Sequence, residues 1–354
     1  MVKKPITKGR LRGLLFEILI DKLLKRAGFI ELKNRAQLTK QLFRFHGRGT
    51  THQIDAFGEF CFSVPFVFPI RILAEAKSKK NGVSVGEVRN FFGAVADISE
   101  WYNLDTASMS RREIFMQRFQ ERYMDCGAFF STSGFRNQAE EFAFAHGIFL
   151  VSYKNTVHVP SVYSSMLELI EHINLENLSY DDAKKISKYI FDFMPNQIPS
   201  RIKLEGFDPA LTALRESFDQ IHSYLGMLNG RTAINIISKG SSTLPENDAN
   251  SSKIQFLDGR FILKNGNFEG EFSLPQRYLE YLSGRKKKKY SRVKNRPNTI
   301  FSFIDVALSA NNYVKITRIS NLQIEPNIAH NVLKYLEKQD EEYAARRAEA
   351  ERTA

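Results

Sequence analysis

Two apolar runs, QIDAFGEFCF (53–62) and PIRILAEAK (69–77), flank the turn-prone segment SVPFVFP. They constrain the chain more than any other feature. Runs rich in β-branched and aromatic residues suit a buried sheet, and a Pro-bearing turn between them predicts a hairpin. Charge is expensive in such strands, yet Asp55 lies in the first run and Glu75 and Lys77 in the second. Strand side chains alternate faces, so Glu75 and Lys77 point one way above Leu73, while Ala74 and Ala76 present a flat face to a helix. Paired as a hairpin, the strands bring Asp55 toward Glu75.

The flanking segments alternate in type. Leu11, Leu14, Leu15, Ile18, Leu19 and Leu23 recur at helical spacing, with Gly28 as terminator. After the hairpin, Val88, Phe91, Phe92 and Val95 share a helical face, with Ser84 as candidate cap. CGAFFST reads as a strand, FRNQAEEFAFAHG as a helix and IFLVSY as a strand. The order predicts an α/β layer around one small mixed sheet. Residues 161–228 read as helices, including FDPALTALRESFDQIHSYLGML as one. From 230 onward, Asp-Gly and Asn-Gly between apolar runs signal hairpins, and EKQDEEYAARRAEAE is a charged closing helix. The expected organisation is an α/β unit over 1–158, a helical connector over 159–229, and a β-rich unit over 230–354 with a terminal helix, serving DNA binding or oligomerisation. HGRGTTHQ before Asp55 and SKGSSTLPENDANSSK (238–253) read as flexible loops.

Two carboxylates and an ammonium at a sheet end have a specific use. Converging carboxylates raise each other's pKa unless a cation neutralises them. Mg²⁺ takes oxygen ligands, keeps waters, and uses one or two carboxylates with substrate phosphate oxygens; Mn²⁺ can stand in for it. Such a centre activates water against a phosphodiester, and Lys77 can orient that water. An E-x-K tripeptide alone has little weight, since Glu31-Leu32-Lys33 matches it too. That copy has Asp21 upstream in a helix instead of on a partner strand. The alternative for the 55/75/77 set is a surface hairpin with ordinary salt bridges.

The net charge of +12 and pI near 9.5 favour a polyanionic partner. Two cysteines, Cys61 and Cys126, are too few for a disulfide framework or a zinc cluster. No run reaches the roughly 18 apolar residues of a membrane span. The N-terminus lacks the uncharged core of a secretory signal, so a cytoplasmic protein is expected. No Walker A pattern occurs.

Glu17 in the first helix, HGRGTTHQIDAFG, AEAK and CGAFFSTSGFRNQAEEFAFAHGIFLVSY together resemble the PD-(D/E)XK nuclease superfamily, and within it the Mrr-like restriction endonucleases. The resemblance covers about residues 10–155. It implies a restriction-endonuclease-like core, a mixed central sheet flanked by helices, and a metal-dependent DNA endonuclease of restriction or anti-phage defence. It implies Asp55, Glu75 and the carbonyl of Ala76 as metal ligands, Lys77 as the catalytic lysine, and Glu17 as an acidic residue touching metal-bound water. Glu17 is equally readable as a helix-border carboxylate, and Gln53 as a site-lining or merely exposed residue. The chain departs from the family in its long hairpin loop and in lacking Pro before Asp55.

Further DNA contacts are expected from Ser131 and Thr132 at a strand end. The run Arg285–Arg296 has eight basic residues and no acid, and Lys286, Lys287, Lys288, Lys289 and Arg292 are its candidates for backbone contact. His46 and His52 flank a Gly/Thr-rich loop without a ligand set. The expected partners are DNA, a second or further copy of the chain as homodimer or higher oligomer, and a possible helper protein for any NTP-driven step. A repair or junction-resolving nuclease, or a catalytically silent DNA-binding module, are the competing readings.

Overall fold

The structure is a computed structural model that describes residues 6–32, 37–39, 44–61, 67–103, 122–173, 175, 178–192, 207–240, 244, 251–285, 300–310 and 313–353. It is a mixed α/β arrangement. Helix α1 (Lys8–Arg26) is capped by Thr7, whose hydroxyl accepts the Arg10 N–H at 3.2 Å. Its stripe of Leu11, Leu15, Leu19 and Leu23 is buried. At about 1.5–3 kcal/mol per buried leucine, that stripe anchors the helix against the first sheet.

That sheet is built from β1 (Phe29–Ile30), β4 (Ala56–Phe60), β5 (Ile70–Lys77), β6 (Met124–Ser131) and β7 (Phe149–Ser152), in the order β1-β4-β5-β6-β7. β4 pairs antiparallel with β5, Ala56 opposite Ala74, whereas β5, β6 and β7 run parallel. Parallel neighbours require a crossover, supplied by α2 (Val85–Ser99) and α3 (Asn137–Ala145). Ser84 caps α2 in a capping box with Glu87. The two sheet faces have separate cores. Ala74 and Ala76 join α1, whereas Leu73 joins Val88, Phe91 and Val95 of α2.

Between α1 and β4, β2 (Arg44–His46) and β3 (Thr51–Gln53) form a small hairpin. The HGRGTTHQ segment, expected as flexible, is pinned to Asp97. Its carboxylate accepts from Gly49 and Thr50 N–H at 2.8 and 3.2 Å and meets His52 Nε2 at 2.7 Å. Gly47 has no alternative there, because a Cβ would lie 2.0 Å from Asp97 Oδ2.

Helices α4 (His158–Glu171), α5 (Tyr180–Asp192) and α6 (Phe207–Asp219) follow. The single helix expected through Leu228 breaks at Asp219, and Ile221–Leu228 is strand β8. The signal is Asn229-Gly230, both left-handed at φ 52° and 63°, which turns the chain into β9 (Thr232–Lys239). The second sheet adds β10 (Ser252–Leu257), β11 (Arg260–Asn265), β12 (Phe268–Phe272), β13 (Ile304–Ala310), β14 (Tyr313–Ile319) and β15 (Leu322–Ile324) in the order β14-β13-β8-β9-β12-β11-β10-β15. Asp258-Gly259 forms the expected hairpin turn between β10 and β11. The next turn is shifted by one residue: Asn265 still pairs with Phe268, leaving Gly266 and Asn267 as the loop. Helix α7 (Gln276–Ser283) and the long α8 (Ile328–Thr353) complete the fold. α8 starts well before the charged stretch that marks it in the sequence, because Ile328, Val332 and Leu336 are buried in the second core.

The two sheets are joined by reciprocal capping. Buried Glu140 of α3 accepts the Gln276 and Arg277 N–H groups at the start of α7 at 2.8 and 3.1 Å. Buried Glu271 of β12 accepts the Val157 and His158 N–H groups at the start of α4, both at 2.6 Å. Each layer thus satisfies orphan helix donors of the other. Among the described residues no helix is long and apolar enough to cross a membrane.

Candidate active site

The C-terminal end of β5 gathers the charged residues singled out in the sequence. Asp55 stands one residue ahead of β4 instead of within it, but its backbone already pairs, donating to the Ala74 carbonyl at 3.2 Å. Its carboxylate turns back along the partner strand and accepts the Ala76 N–H at 3.0 Å. Lys77 Nζ lies 3.8 Å from Asp55 Oδ2 and donates a short hydrogen bond to Glu75. Alternation on β5 places Glu75 and Lys77 together; antiparallel register brings Asp55 opposite them. Glu17, on one face of α1, completes the group through its electrostatic contact with Asp55, Glu75 and Lys77.

Burial dominates the electrostatics. It pushes the Glu17 carboxyl up to about 8, with Asp55 adding to the rise and Lys77 opposing it. Burial, then the Asp55 charge, lifts Glu75 to about 7. Asp55 is also raised by burial, against Lys77 and the Ala76 N–H. Lys77 loses ground to burial, but Glu75 and Asp55 more than restore it, and its ammonium is held above its ordinary range. Three carboxylates thus face one ammonium, at 36% side-chain exposure for Lys77 and 8% for Asp55. Fully ionised, the group would carry more negative charge than its neighbours compensate, and so Glu17 and Glu75 hold their protons to unusually high pH.

Among the described residues no group of three or more His, Cys, Asp or Glu side chains is arranged as a ready metal cage. Mg²⁺ does not require one, since one or two carboxylates with waters and phosphate oxygens suffice. Asp55 and Glu75 are hard oxygen donors beside an acidic excess, and that donor set fits.

The helical connector also reaches this end of the sheet, which the sequence does not suggest. Tyr180, at the start of α5, hydrogen-bonds Gln53, and Glu17 and Asp55 help raise its phenol after burial. Arg10 stacks over its ring at 4.5 Å and Lys184 lies 5.0 Å from it. Tyr180 and Lys184 are one helical turn apart, so the i, i+4 spacing is legible but its destination is not. Gln53 is exposed and takes part through Tyr180.

Other expected contacts separate from the site. Ser131 is fully buried, its hydroxyl donating to the Gly134 carbonyl at 3.1 Å. It therefore cannot reach an external phosphate; its role is the turn after β6. Thr132, whose N–H donates to the Lys77 carbonyl at 3.2 Å, borders an open cleft. His52 is taken by Asp97, and His46 is exposed on β2. Lys286, Lys287, Lys288, Lys289 and Arg292 lie outside the described residues.

No family model and no curated protein matches this chain. A solved crystal structure, of the protein of unknown function AF1548, is similar at TM-score 0.33 and 11% identity over 58% of this chain and 98% of that chain.

Proposed function

We propose that this protein is a metal-dependent DNA endonuclease of the PD-(D/E)XK kind, with a restriction-endonuclease-like core, acting in restriction or anti-phage defence. The observation that carries this reading is the convergence of Asp55, Glu75 and Lys77 at one end of an antiparallel strand pair, with Glu17 beside them. The strand order supports it: an antiparallel pair bearing the acids, then parallel strands reached through helices. The basic net charge supports a polyanionic substrate. The Mrr-like resemblance supports the defence setting.

Asp55, Glu75 and the Ala76 carbonyl would hold the ion. Bound there, Mg²⁺ would supply Lewis acidity that lowers the pKa of water and neutralises charge on the phosphate. Asp55 is fixed for its part by the Ala76 N–H, which orients its carboxylate before substrate arrives. Lys77 offers its ammonium to the attacking water or a non-bridging phosphate oxygen. Water oxygen bonds to phosphorus, the bond to the leaving strand oxygen breaks, one proton leaves the water, and the leaving oxygen gains one.

The test is a digest of supercoiled plasmid with Mg²⁺, with Mn²⁺ and with EDTA. Cutting in the first two alone, and its loss in Asp55→Ala and Lys77→Ala, is the expected result. Undiminished cutting by either variant would move the active site elsewhere.

A further inference from the structure

Beyond the end of β5 lies an open cleft of about 820 Å³ between the two layers. One wall is the loop after β5, with Lys79 and Lys80, and Lys154 after β7; the other is α8, with Tyr343, Arg346 and Arg347. Thr132 and Ser133 line it between the walls, and among the described residues none of its lining is acidic. Five cations from three remote parts of the chain share one concave surface.

Their pairing leaves a surplus. Lys79 is matched by Glu87 at 2.7 Å, and Arg347 by Glu351 at 2.9 Å. Arg346 reaches Glu342 only at 3.9 Å and stays 80% exposed. Lys80 and Lys154 have no ion pair at 4 Å among the described residues. Burial, then the Arg346 charge, pushes the Lys154 ammonium below its ordinary range, with Glu140 and Glu342 opposing only in part, so two cations share the cleft. An anion between the walls offsets the repulsion that remains. Tyr343, 72% exposed on the same wall, adds an aromatic surface among the charges, as nucleic-acid grooves use.

We propose that this cleft is a phosphodiester-binding groove for DNA, with α8 of the C-terminal layer forming one of its walls. The choice of DNA as the polyanion rests on the nuclease reading above; the preference for a polyanion does not. The groove adjoins the candidate active site through Lys77, whose carbonyl holds Thr132. A strand lying in it is therefore gripped by both layers at once, and the reciprocal caps at Glu140 and Glu271 hold those walls in register.

The test is binding of fluorescein-labelled duplex DNA in EDTA, where cutting cannot interfere, as a function of salt. The variants are Lys80→Gln/Arg346→Gln/Arg347→Gln and, separately, Tyr343→Ala. All four side chains are exposed, and unchanged thermal midpoints will establish that the fold is kept. The triple variant is expected to lose at least about tenfold in affinity at moderate salt. Its slope of log affinity against log salt should be shallower by about 0.9 for each phosphate it no longer neutralises, and Arg346→Lys should bind nearly as wild type. Superimposable curves for wild type and triple variant would overturn the groove, even if the wild type cuts DNA. Tighter wild-type binding to labelled RNA of equal length would overturn DNA as its occupant. Cleft-dependent binding without cutting in any metal would keep the groove and remove the nuclease reading.

Discussion

Strand β5 carries a charged cluster at each end, and the two are built on opposite terms. At its N-terminal end Arg71 is fully buried, yet each of its three guanidinium nitrogens has a partner. Nε and one Nη donate to Asp125 at 2.6 and 2.8 Å, and the other Nη donates to Gln37 at 2.8 Å. Phe45 and Tyr123 sit against it at 5.2 and 4.7 Å. Gln37 in turn donates to the His46 and Ile98 carbonyls, and Ser99 donates to Asp125. At the C-terminal end, six residues later, Glu75 shares Lys77 with Asp55, and Glu17 joins them with Lys184 as a weaker counter-charge. A buried ion pair whose nitrogens are all partnered has little left to offer a ligand. A cluster with surplus charge at partial exposure is costly to fold and useful to bind with. The first is architecture; the second is what we propose as the site.

The largest effect that can break this contrast is at the satisfied end. Arg71→Ala leaves Asp125 and Gln37 buried without their partner, and removing one member of such a pair costs roughly 3–5 kcal/mol. Urea unfolding should show that loss, with cutting falling only as far as the folded fraction does. At the other end Glu75→Gln should behave in the opposite way. Cutting falls about 10²–10³-fold, the scale of one lost electrostatic group in a site. Unfolding measured in EDTA should show no loss of stability, since the burial penalty of that carboxylate is gone. A destabilised Glu75→Gln would mean that both ends of β5 are structural.

The pH dependence sharpens the comparison without mutation. Glu75 and Glu17 stand at about 7 and 8 in the fold, above the 4.5 they have outside it. Between those values the folded chain holds protons that the unfolded chain has released. Stability from these groups is therefore full below about pH 4.5 and is lost as pH rises through 7 and 8. Thermal midpoints in EDTA should fall across that window in wild type and fall less in Glu75→Gln. With Mg²⁺ the decline should be offset, because the ion binds the ionised folded form. Identical profiles with and without Mg²⁺ would speak against a metal centre at Asp55 and Glu75.

How much of this is legible in the sequence depends on distance along the chain. Asp55, Glu75 and Lys77 are legible because one hairpin brings them together, and a hairpin declares itself by two apolar runs and a turn. Glu17 is singled out by the family resemblance alone, since α1 carries several other charges, Asp21 among them. Arg71 is hidden within RILA, since nothing near it announces Asp125 or Gln37. The cleft is invisible for the same reason, its walls being some 190 residues apart in sequence between Lys154 and Arg346. Strand β8 escapes notice although Asn229-Gly230 marks its end. Its burial alternates only in part, and a strand that follows directly on the amphipathic α6 blends into the helical pattern. Ser131 misleads because a hydroxyl at a strand end serves a turn as readily as a phosphate.

The smallest expected effect tests whether context or the tripeptide itself marks the site. Glu31-Leu32-Lys33 repeats the E-x-K spacing of Glu75-Ala76-Lys77. Glu31 follows the two-residue β1 and is exposed, while Leu32 is buried. It therefore lies at the edge of the sheet, outside the convergence at the end of β5. Its upstream acid, Asp21, is engaged with Lys25 at 2.7 Å on the surface of α1. Exposed at the sheet edge, Glu31 stands apart from the acidic group that Asp55, Glu75 and Glu17 form. Glu31→Gln should leave plasmid cutting within about twofold of wild type and stability within about 0.5 kcal/mol, as for surface substitutions generally. Parallel digests of Glu31→Gln and Glu75→Gln make the comparison direct. If Glu31→Gln lost cutting as deeply as Glu75→Gln, the chemistry would belong to the first copy, and the charge surplus at the end of β5 would need another explanation.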